Sequence, residues 1–160
     1  MGKIKMLSVL LFALGAIMVS GCIRSYPTKE TIIQYVQNQR EELIQLCNEG
    51  VLLSQWDKED QAFLRRKLGS STIVKAVTDY SDIKKGKVEF YCGGSGFVGG
   101  STSVGFYYSA DDQPFALEFD NHELSEIGPG RFEWKNEDES HLIYTERICE
   151  KWFYYYMDWY

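Results

Sequence analysis

The last nine residues of the chain, Trp152 to Tyr160 (WFYYYMDWY), include seven aromatic side chains. Side chains of a β-strand point alternately to the two faces of its sheet, so a strand here carries large rings on both faces. One face holds Phe153, Tyr155, Met157 and Trp159, and the other holds Trp152, Tyr154, Tyr156 and Tyr160. Since both faces need apolar partners, this stretch predicts a strand in the interior of a sheet.

The same aromatic residues have a second, functional interpretation. Tyrosine combines an apolar ring with a polar hydroxyl group and is common at the centres of binding surfaces. An exposed platform of tyrosines would suit a sugar, a glycan or a partner protein. The candidate binding residues are Tyr107, Tyr154 and Tyr156. The sequence leaves the choice between core and platform open.

The second half of the chain has the two-residue period of strands. Segments with this pattern, several of them rich in β-branched and aromatic residues, are 72–78, 87–92, 102–108, 114–119, 131–135 and 141–144. Turn-forming residues separate them, for example at 110–113 and 128–130. Short connections between successive strands predict a mainly antiparallel sheet of five or six strands.

The first part of the folded region has a helical period instead. Within 29–49, apolar residues recur at steps of three and four, with polar residues opposite them. Thr28 is a suitable N-cap, and Gly50 can end the helix. The sequence therefore predicts one α+β domain at 29–160, with a long N-terminal helix, and a shorter one at 58–68, packed on the sheet. The other face of the sheet is expected to be partly open and rich in tyrosine.

A glycine-rich segment at 92–105, CGGSGFVGGSTSVG, contains the spacing G-x-G-x-x-G at Gly94, Gly96 and Gly99. In dinucleotide-binding proteins this spacing opens a helix whose N-terminal amides face the pyrophosphate. Here turn and strand formers follow, and Gly100 stands where a P-loop has its lysine. The segment therefore predicts a β-hairpin with a glycine-rich tip, and we expect neither a nucleotide nor another cofactor.

The N-terminus has two early lysines and then an apolar run too short for a comfortable membrane span. Small residues lead to Val19-Ser20-Gly21-Cys22, which resembles the lipobox of bacterial lipoproteins. The resemblance implies a signal peptide at 1–21, its removal, a diacylglycerol on the sulfur of Cys22, and a tether at 22–28. The alternative is an ordinary signal peptide, or an uncleaved anchor, with a coincidental cysteine.

The lipobox also implies a location. Two acyl chains hold a protein stably at a bilayer, where one chain is marginal. The implied location is the extracytoplasmic face of the cell membrane. Ile23 is not the aspartate that retains some lipoproteins at the inner membrane, so the family rule places the protein at the outer membrane if the host has one.

The charge of the chain limits its partners. Removal of 1–21 takes away two lysines and no acidic residue, which leaves 15 basic against 23 acidic residues, a net charge of −8. Binding to nucleic acid, or to anionic lipid head groups, needs basic patches. We therefore expect no nucleic-acid partner and expect membrane attachment to come from the lipid.

Beyond the lipobox, the domain resembles a group of small, uncharacterised lipoproteins found mostly in Gram-positive bacteria. Three stretches carry the resemblance: the N-terminal helix, the segment CGGSGFVGGSTSVGFYYSADDQP at 92–114, and the ending YTERICEKWFYYYMDWY at 144–160. The resemblance implies a location and a domain type, and it supplies no activity and no catalytic residues.

Three cysteines remain after Cys22. Cys47 lies on the apolar face of the expected helix and is interpreted as a small buried side chain. Cys92 and Cys149 are the pair most open to a disulfide, and the sequence leaves open whether they form one. The best enzymatic interpretation is a small hydrolase in which Cys92 is the nucleophile and a histidine, His122 or His141, is the base.

Other catalytic and metal-binding patterns are weak. An acidic pair could serve a hydrolase, but sequence gives no distances between carboxylates. The acidic residues of the turns, at 111–112 and 137–139, lack the spacing of a calcium loop. The leading expectation is therefore a non-enzymatic, membrane-anchored module that binds an envelope protein or glycan, with the hydrolase as the alternative.

Overall fold

The computed structural model describes residues 26–80, 85–97, 100–117, 122–136 and 141–159. The lipobox, with Cys22, lies outside these residues. So do Gly99 of the glycine-rich segment, the acidic residues 137–139, and Tyr160.

The described chain is built around one seven-stranded antiparallel sheet, in the order β1-β2-β3-β7-β6-β5-β4. The strands are β1 (Ala76–Asp79), β2 (Lys87–Phe97), β3 (Gly100–Ser109), β4 (Ser125–Gly128), β5 (Arg131–Asn136), β6 (His141–Cys149) and β7 (Trp152–Trp159). The aromatic strand β7 is fourth of the seven and pairs with β3 on one side and β6 on the other. The prediction that this stretch is an interior strand is confirmed.

From residue 26 on, three short helices precede the sheet: α1 (Lys29–Asn38), α2 (Arg40–Glu49) and α3 (Lys58–Leu68). The prediction of one long N-terminal helix is wrong, because the chain leaves helical geometry at Gln39, with φ −115° and ψ 20°. After Val36, the next buried residue in the chain is Leu43. The intervening positions that would continue the apolar face are Gln39 and Arg40, so no packing holds the helix straight there.

The strand prediction also needs correction. Strands account for 44% of the described residues and helices for 26%, so the sheet dominates this part of the chain. Residues 114–117, expected in a strand, form a loop, and a strand that was not expected occurs at β4. The first predicted strand, 72–78, is replaced by the shorter β1.

One face of the sheet packs against the helices. Phe90 and Phe106 stack with ring centroids 4.8 Å apart, and Trp152 of β7 lies within 5.9 Å of both rings. The helices cover these rings with buried aliphatic residues, namely Ile32, Val36, Leu43, Leu46, Leu64 and Leu68. We call this side of the sheet the helix face.

The opposite side, which we call the loop face, is covered by the loop after β3. The ring of Phe115 meets Tyr107 edge-on at 4.6 Å, and Tyr107 stacks on Phe153 at 5.1 Å. The buried Lys87 ammonium anchors the loop, since it donates to the Ser109 hydroxyl at 2.5 Å and contacts the Asp111 carboxylate. The expectation of an open, tyrosine-rich second face is therefore wrong around Tyr107.

The glycine-rich segment forms the β2–β3 hairpin that the sequence predicts. Two of its glycines permit close contact with a neighbouring strand of the sheet. A Cβ on Gly94 would lie 1.9 Å from the carbonyl oxygen of Thr102, and one on Gly105 would lie 2.3 Å from that of Phe90. The ring of Tyr155 crosses over Gly105, 2.7 Å from the same position. The absence of a side chain at Gly94 and Gly105 thus allows the neighbouring strand to pack closely there.

Within the described residues, no helix combines the length and the apolar character needed to cross a bilayer.

Replacing Gly105 with alanine should destabilise the domain by about 3 kcal/mol, because the new methyl group collides with a backbone carbonyl and with the ring of Tyr155. The measurement is the free energy of unfolding from urea titration. Gly128→Ala is the matched control, since its Cβ would meet no described atom within 4 Å, and it should change stability by less than about 0.5 kcal/mol. Equal stability of the two variants would contradict the packing described above.

Candidate functional site

A groove of about 770 Å³ opens on the helix face where the chain enters α1. We call it the tyrosine groove; its lining residues are Tyr26, Pro27, Thr28, Lys29, Glu30, Val104, Tyr154 and Tyr156. Tyr154 is 6% exposed, and Tyr156 and Tyr26 are half-buried. The groove therefore has an aromatic lining and a polar rim formed by Thr28 and Glu30, which are exposed.

Strand alternation and the start of α1 together create this groove. Trp152, Tyr154 and Tyr156 point to the same face of β7, and Val104 of β3 is the register partner of Tyr156. The Trp152 end of this row is buried in the core shared with the helices. At the Tyr156 end, α1 has only begun, with Thr28 as its N-cap accepting from the amide of Thr31 at 3.3 Å.

A charged network fixes one wall of the groove. The Lys29 ammonium donates to the Glu146 carboxylate, which also accepts from the hydroxyl of Tyr144. The Arg131 guanidinium lies 3.8 Å from the same carboxylate oxygen. The ammonium also lies over two rings, 5.7 Å from the centroid of Tyr144 and 5.9 Å from that of Tyr154. Both hydrogen bonding and cation–π attraction therefore hold Lys29 in place.

The protonation states of this network follow from its contacts. Burial alone would raise the pKa of Glu146, but the hydrogen bonds from Lys29 and Tyr144, with the attraction of both cations, lower the pKa below its usual value. Burial and the neighbouring Glu146 carboxylate raise the pKa of Tyr144 to about 12. Burial likewise raises the pKa of Tyr154. At neutral pH the network therefore has an ionised Glu146 and neutral phenols at Tyr144 and Tyr154.

The lining residue Tyr156 makes a polar contact of its own. The Tyr156 hydroxyl donates to Oδ2 of Asp158 at 3.0 Å. Oδ1 of Asp158 is buried and has no hydrogen-bond partner among the described residues. The contact fixes the direction of the Tyr156 hydroxyl, and it leaves the ring of this half-buried side chain beside the groove.

The structure brings together two of the three predicted binding tyrosines. Tyr154 and Tyr156 share the groove, whereas Tyr107 is fully buried on the loop face, with its hydroxyl 2.8 Å from that of Thr145. Tyr107 pairs with Phe153 in the sheet register, and paired residues lie on the same face. The sequence did not single out Tyr26 and Lys29 as groove residues, because their position depends on long-range packing against the sheet.

The predicted cysteine–histidine pair is not assembled. Cys92 is fully buried in the core of the helix face, and burial raises the pKa of its thiol. His122 stacks on Trp134 at 3.7 Å and His141 meets Trp159 at 4.7 Å. Both tryptophans are partly buried and pack against the core of the loop face. The sheet thus separates the thiol from both imidazoles.

The described cysteines form no disulfide, and the described acids form no metal-type cluster. Cys47, Cys92 and Cys149 are all free thiols, so the structure contains no disulfide between Cys92 and Cys149. In the described ranges, no cluster of three or more histidine, cysteine or acidic side chains is placed to hold a metal ion. Asp111 binds Lys87, and Asp112 accepts from the amide of Lys151 at 2.6 Å, so both turn aspartates stabilise the loop.

A second cavity, of about 460 Å³, lies on the loop face beside His122 and Phe132. Its lining residues come from both sides, in sequence, of residues 118–121, which lie outside the described set. The tyrosine groove is larger, and each of its lining residues is described, so it is the candidate functional site.

No protein family, curated protein or solved structure matches this chain.

Glu146→Gln should lower the free energy of unfolding at pH 7 by about 1–2 kcal/mol, because it removes the charge that pairs with Lys29. The pKa of Glu146 is lowered in the folded state, so its contribution is present above the unfolded pKa and disappears as pH falls through the folded pKa. Urea titrations at pH 7 and at pH 3 measure the difference.

Glu150→Gln is the control for this prediction, since Glu150 is exposed in the β6–β7 turn. Its effect should be small at both pH values. A cost for Glu146→Gln that stays constant as the solution is acidified would contradict the ionised network.

Proposed function

We propose that this chain is a lipoprotein held at the extracytoplasmic face of the cell membrane through Cys22, and that its domain is a non-enzymatic binding module. The tyrosine groove is its binding site, and an envelope protein or glycan is its partner. The observation that carries the proposal is the position of the groove. Tyr26, a lining residue, is separated from Cys22 by only four peptide steps.

Those four steps limit the distance between anchor and groove. An extended chain spans about 3.3–3.6 Å per residue, so the Cα atoms of Cys22 and Tyr26 lie at most about 14 Å apart, whatever the conformation between them. A lipid on Cys22 would therefore keep the groove beside the membrane surface. A partner that reaches the groove must be present there, in the layer of the envelope next to the bilayer.

The groove suits binding because its walls are already ordered. Lys29 is fixed by Glu146 and by two tyrosine rings, and the Tyr156 hydroxyl is fixed by Asp158. Binding then loses little side-chain freedom, which favours affinity. Half-buried tyrosine rings contribute apolar contact, and the exposed rim groups contribute hydrogen bonds.

The non-enzymatic part of the proposal rests on the positions of the reactive groups. A cysteine hydrolase needs an accessible thiolate within hydrogen-bond distance of its base. The thiol of Cys92 is buried beneath the helices, on the opposite side of the sheet from the rings that contact His122 and His141. These positions favour the binding module over a hydrolase that uses Cys92 with a histidine.

Tyr156→Ala should weaken binding of the purified, full-length protein to detergent-washed envelope fragments of the producing cells by about tenfold, since truncating an aromatic anchor removes its contact area. Detergent is present throughout, so that the lipid on Cys22 does not attach the protein to membrane. The measurement is a sedimentation titration with washed envelope fragments. Tyr91→Ala is the matched control, because Tyr91 is also half-buried but is not part of the groove lining. Equal binding by the two variants would contradict the groove as the binding site.

The anchor is tested separately. Cells grown with radiolabelled palmitate should label the wild-type chain, and Cys22→Ser should abolish the label. A wild-type chain without label, or a variant that keeps it, would contradict the lipid anchor. Neither result would change the outcome of the envelope-binding test, which concerns the groove alone.

A further inference from the structure

Two of the three large apolar side chains that are exposed among the described residues lie in one loop. Trp56 is 85% exposed and Leu52 is 74% exposed, and both belong to the loop 50–57 between α2 and α3. The third, Ile127, is on the edge strand β4. Single exposed apolar residues are common on protein surfaces, but an indole ring that is almost fully in water gains much from a partner that buries it.

Hydrogen bonds hold this loop in one conformation. Leu53 pairs with Val77 of β1 through two backbone hydrogen bonds, of 2.9 and 3.0 Å. The Trp56 amide donates to the Ser54 hydroxyl at 3.2 Å, and the Ser54 amide donates to Oδ2 of Asp60 at 2.8 Å. The two exposed side chains thus belong to an ordered loop, so contact with a partner costs little backbone freedom.

The loop lies next to Lys75, the residue that precedes β1. The side-chain amide of Gln61 joins the two segments, because it donates to the carbonyl oxygen of Lys75 at 2.6 Å and to that of Ser54 at 3.4 Å. The backbone that leads into Trp56 is therefore held against the start of the edge strand β1.

Lys75 also lies next to the beginning of the described chain. A Cβ on Gly93 of β2 would lie 3.0 Å from the Lys75 ammonium nitrogen and 3.0 Å from the Cβ of Tyr26. The side chains of Lys75 and Tyr26 therefore both lie over Gly93. It follows that the loop with Trp56 and the chain at Tyr26 are neighbours, with Lys75 between them.

The acidic residues beside Trp56 are engaged by the backbone. Asp57 caps α3 and accepts from the amides of Glu59 and Asp60, at 2.7 and 3.1 Å, while Asp60 also accepts from the amide of Ser54. Amide dipoles at the start of α3 thus offset part of their charge. The sequence after residue 21 still has a net charge of −8, which disfavours anionic surfaces, so a surface of zwitterionic lipid suits the loop best.

The proposed anchor selects the bilayer as the partner of the loop. The Cα atoms of Cys22 and Tyr26 lie at most about 14 Å apart, so a lipid on Cys22 would hold this part of the domain beside the lipid head groups. Tryptophan is enriched at membrane–water interfaces, because its ring is apolar and its N–H group is polar. The apolar phase nearest to Trp56 is then the bilayer itself.

We propose that Trp56 and Leu52 insert into the interfacial layer of the bilayer that carries the anchor. This inference rests on the lipid anchor of the proposed function and goes beyond it. A lipid on a flexible tether leaves the domain free to rotate, whereas a second contact through the loop fixes the edge of the sheet that faces the membrane.

The test is quenching of tryptophan emission by brominated phosphatidylcholine. Full-length protein with its lipid is reconstituted into phosphatidylcholine vesicles, with or without bromine on the acyl chains, and flotation shows attachment. Bromine should lower the wild-type emission by about one quarter, since Trp56 is one of four tryptophans. Trp56→Phe should lose most of this quenching. Trp134→Phe is the control and should keep it, since Trp134 is partly buried against the loop face.

A second pair of variants tests the contribution of Leu52. Leu52→Ser should reduce the quenching of Trp56, because it removes the other apolar side chain of the loop. Ile127→Ser is the matched control, since Ile127 is exposed at the opposite edge of the sheet, and it should leave the quenching unchanged. Equal quenching in the two variants would overturn the role of Leu52.

Flotation separates failure of this inference from failure of the anchor. If the protein floats but bromine quenches the wild type and Trp56→Phe equally, the loop does not touch lipid, and the inference fails while the anchor stands. Protection of Trp56 from aqueous iodide without quenching by bromine would show that a second copy or another protein covers the loop, which also overturns the inference. A protein that does not float overturns both.

Discussion

Trp152 packs at a tilt against Phe90 and Phe106 on one side of the central strand, and its neighbour Phe153 stacks on Tyr107 on the other. A strand with large rings on both faces is stable only where both faces are covered. Two different covers satisfy this requirement. Three short helices lie over the first face, and the loop that follows β3 lies over the second. The remaining strands extend the sheet outward from β7 to its edges.

The tyrosine groove forms at the edge of the region that the three helices cover. Along β7, Trp152 is fully buried, Tyr154 is nearly so, and Tyr156 is half-buried. This decrease in burial along β7 follows from the position of α1. The helix begins at Lys29 and packs its apolar residues into the core that contains Trp152. Lys29 binds Glu146 on β6, and this charged contact lies between the packed core and the groove. The same strand thus contributes to the core and to the candidate site.

Much of this arrangement could be predicted from local sequence. The two-face aromatic pattern of 152–159 predicts an interior strand, and the predicted N-cap Thr28 lies where α1 begins. The break at Gln39 was missed because helical periodicity continues on both sides of it. Residues 114–117 look like a strand because their apolar side chains are needed to cover the loop face, and sequence does not show whether a segment joins a sheet or crosses it.

The candidate site was predictable only in part, and the reason is strand register. Alternation places Tyr154 and Tyr156 on one face of β7, but it cannot relate them to Tyr107 on another strand. The pairing of Tyr107 with Phe153 decides that question and puts Tyr107 in the opposite core. Tyr26 and Lys29 join the groove through contacts with residues far away in the chain, such as Glu146, which local patterns do not reveal.

The division of the tyrosines between core and groove is the central claim, and nitration by tetranitromethane tests it most directly. The folded protein would be treated at low reagent concentration, and modified rings would be located by mass spectrometry. The structure predicts early nitration of Tyr156 and Tyr26, which are half-buried, and protection of Tyr107 and Tyr155, which are fully buried, until the protein is unfolded. Nitration of Tyr107 in the folded protein as fast as Tyr156 would contradict the account.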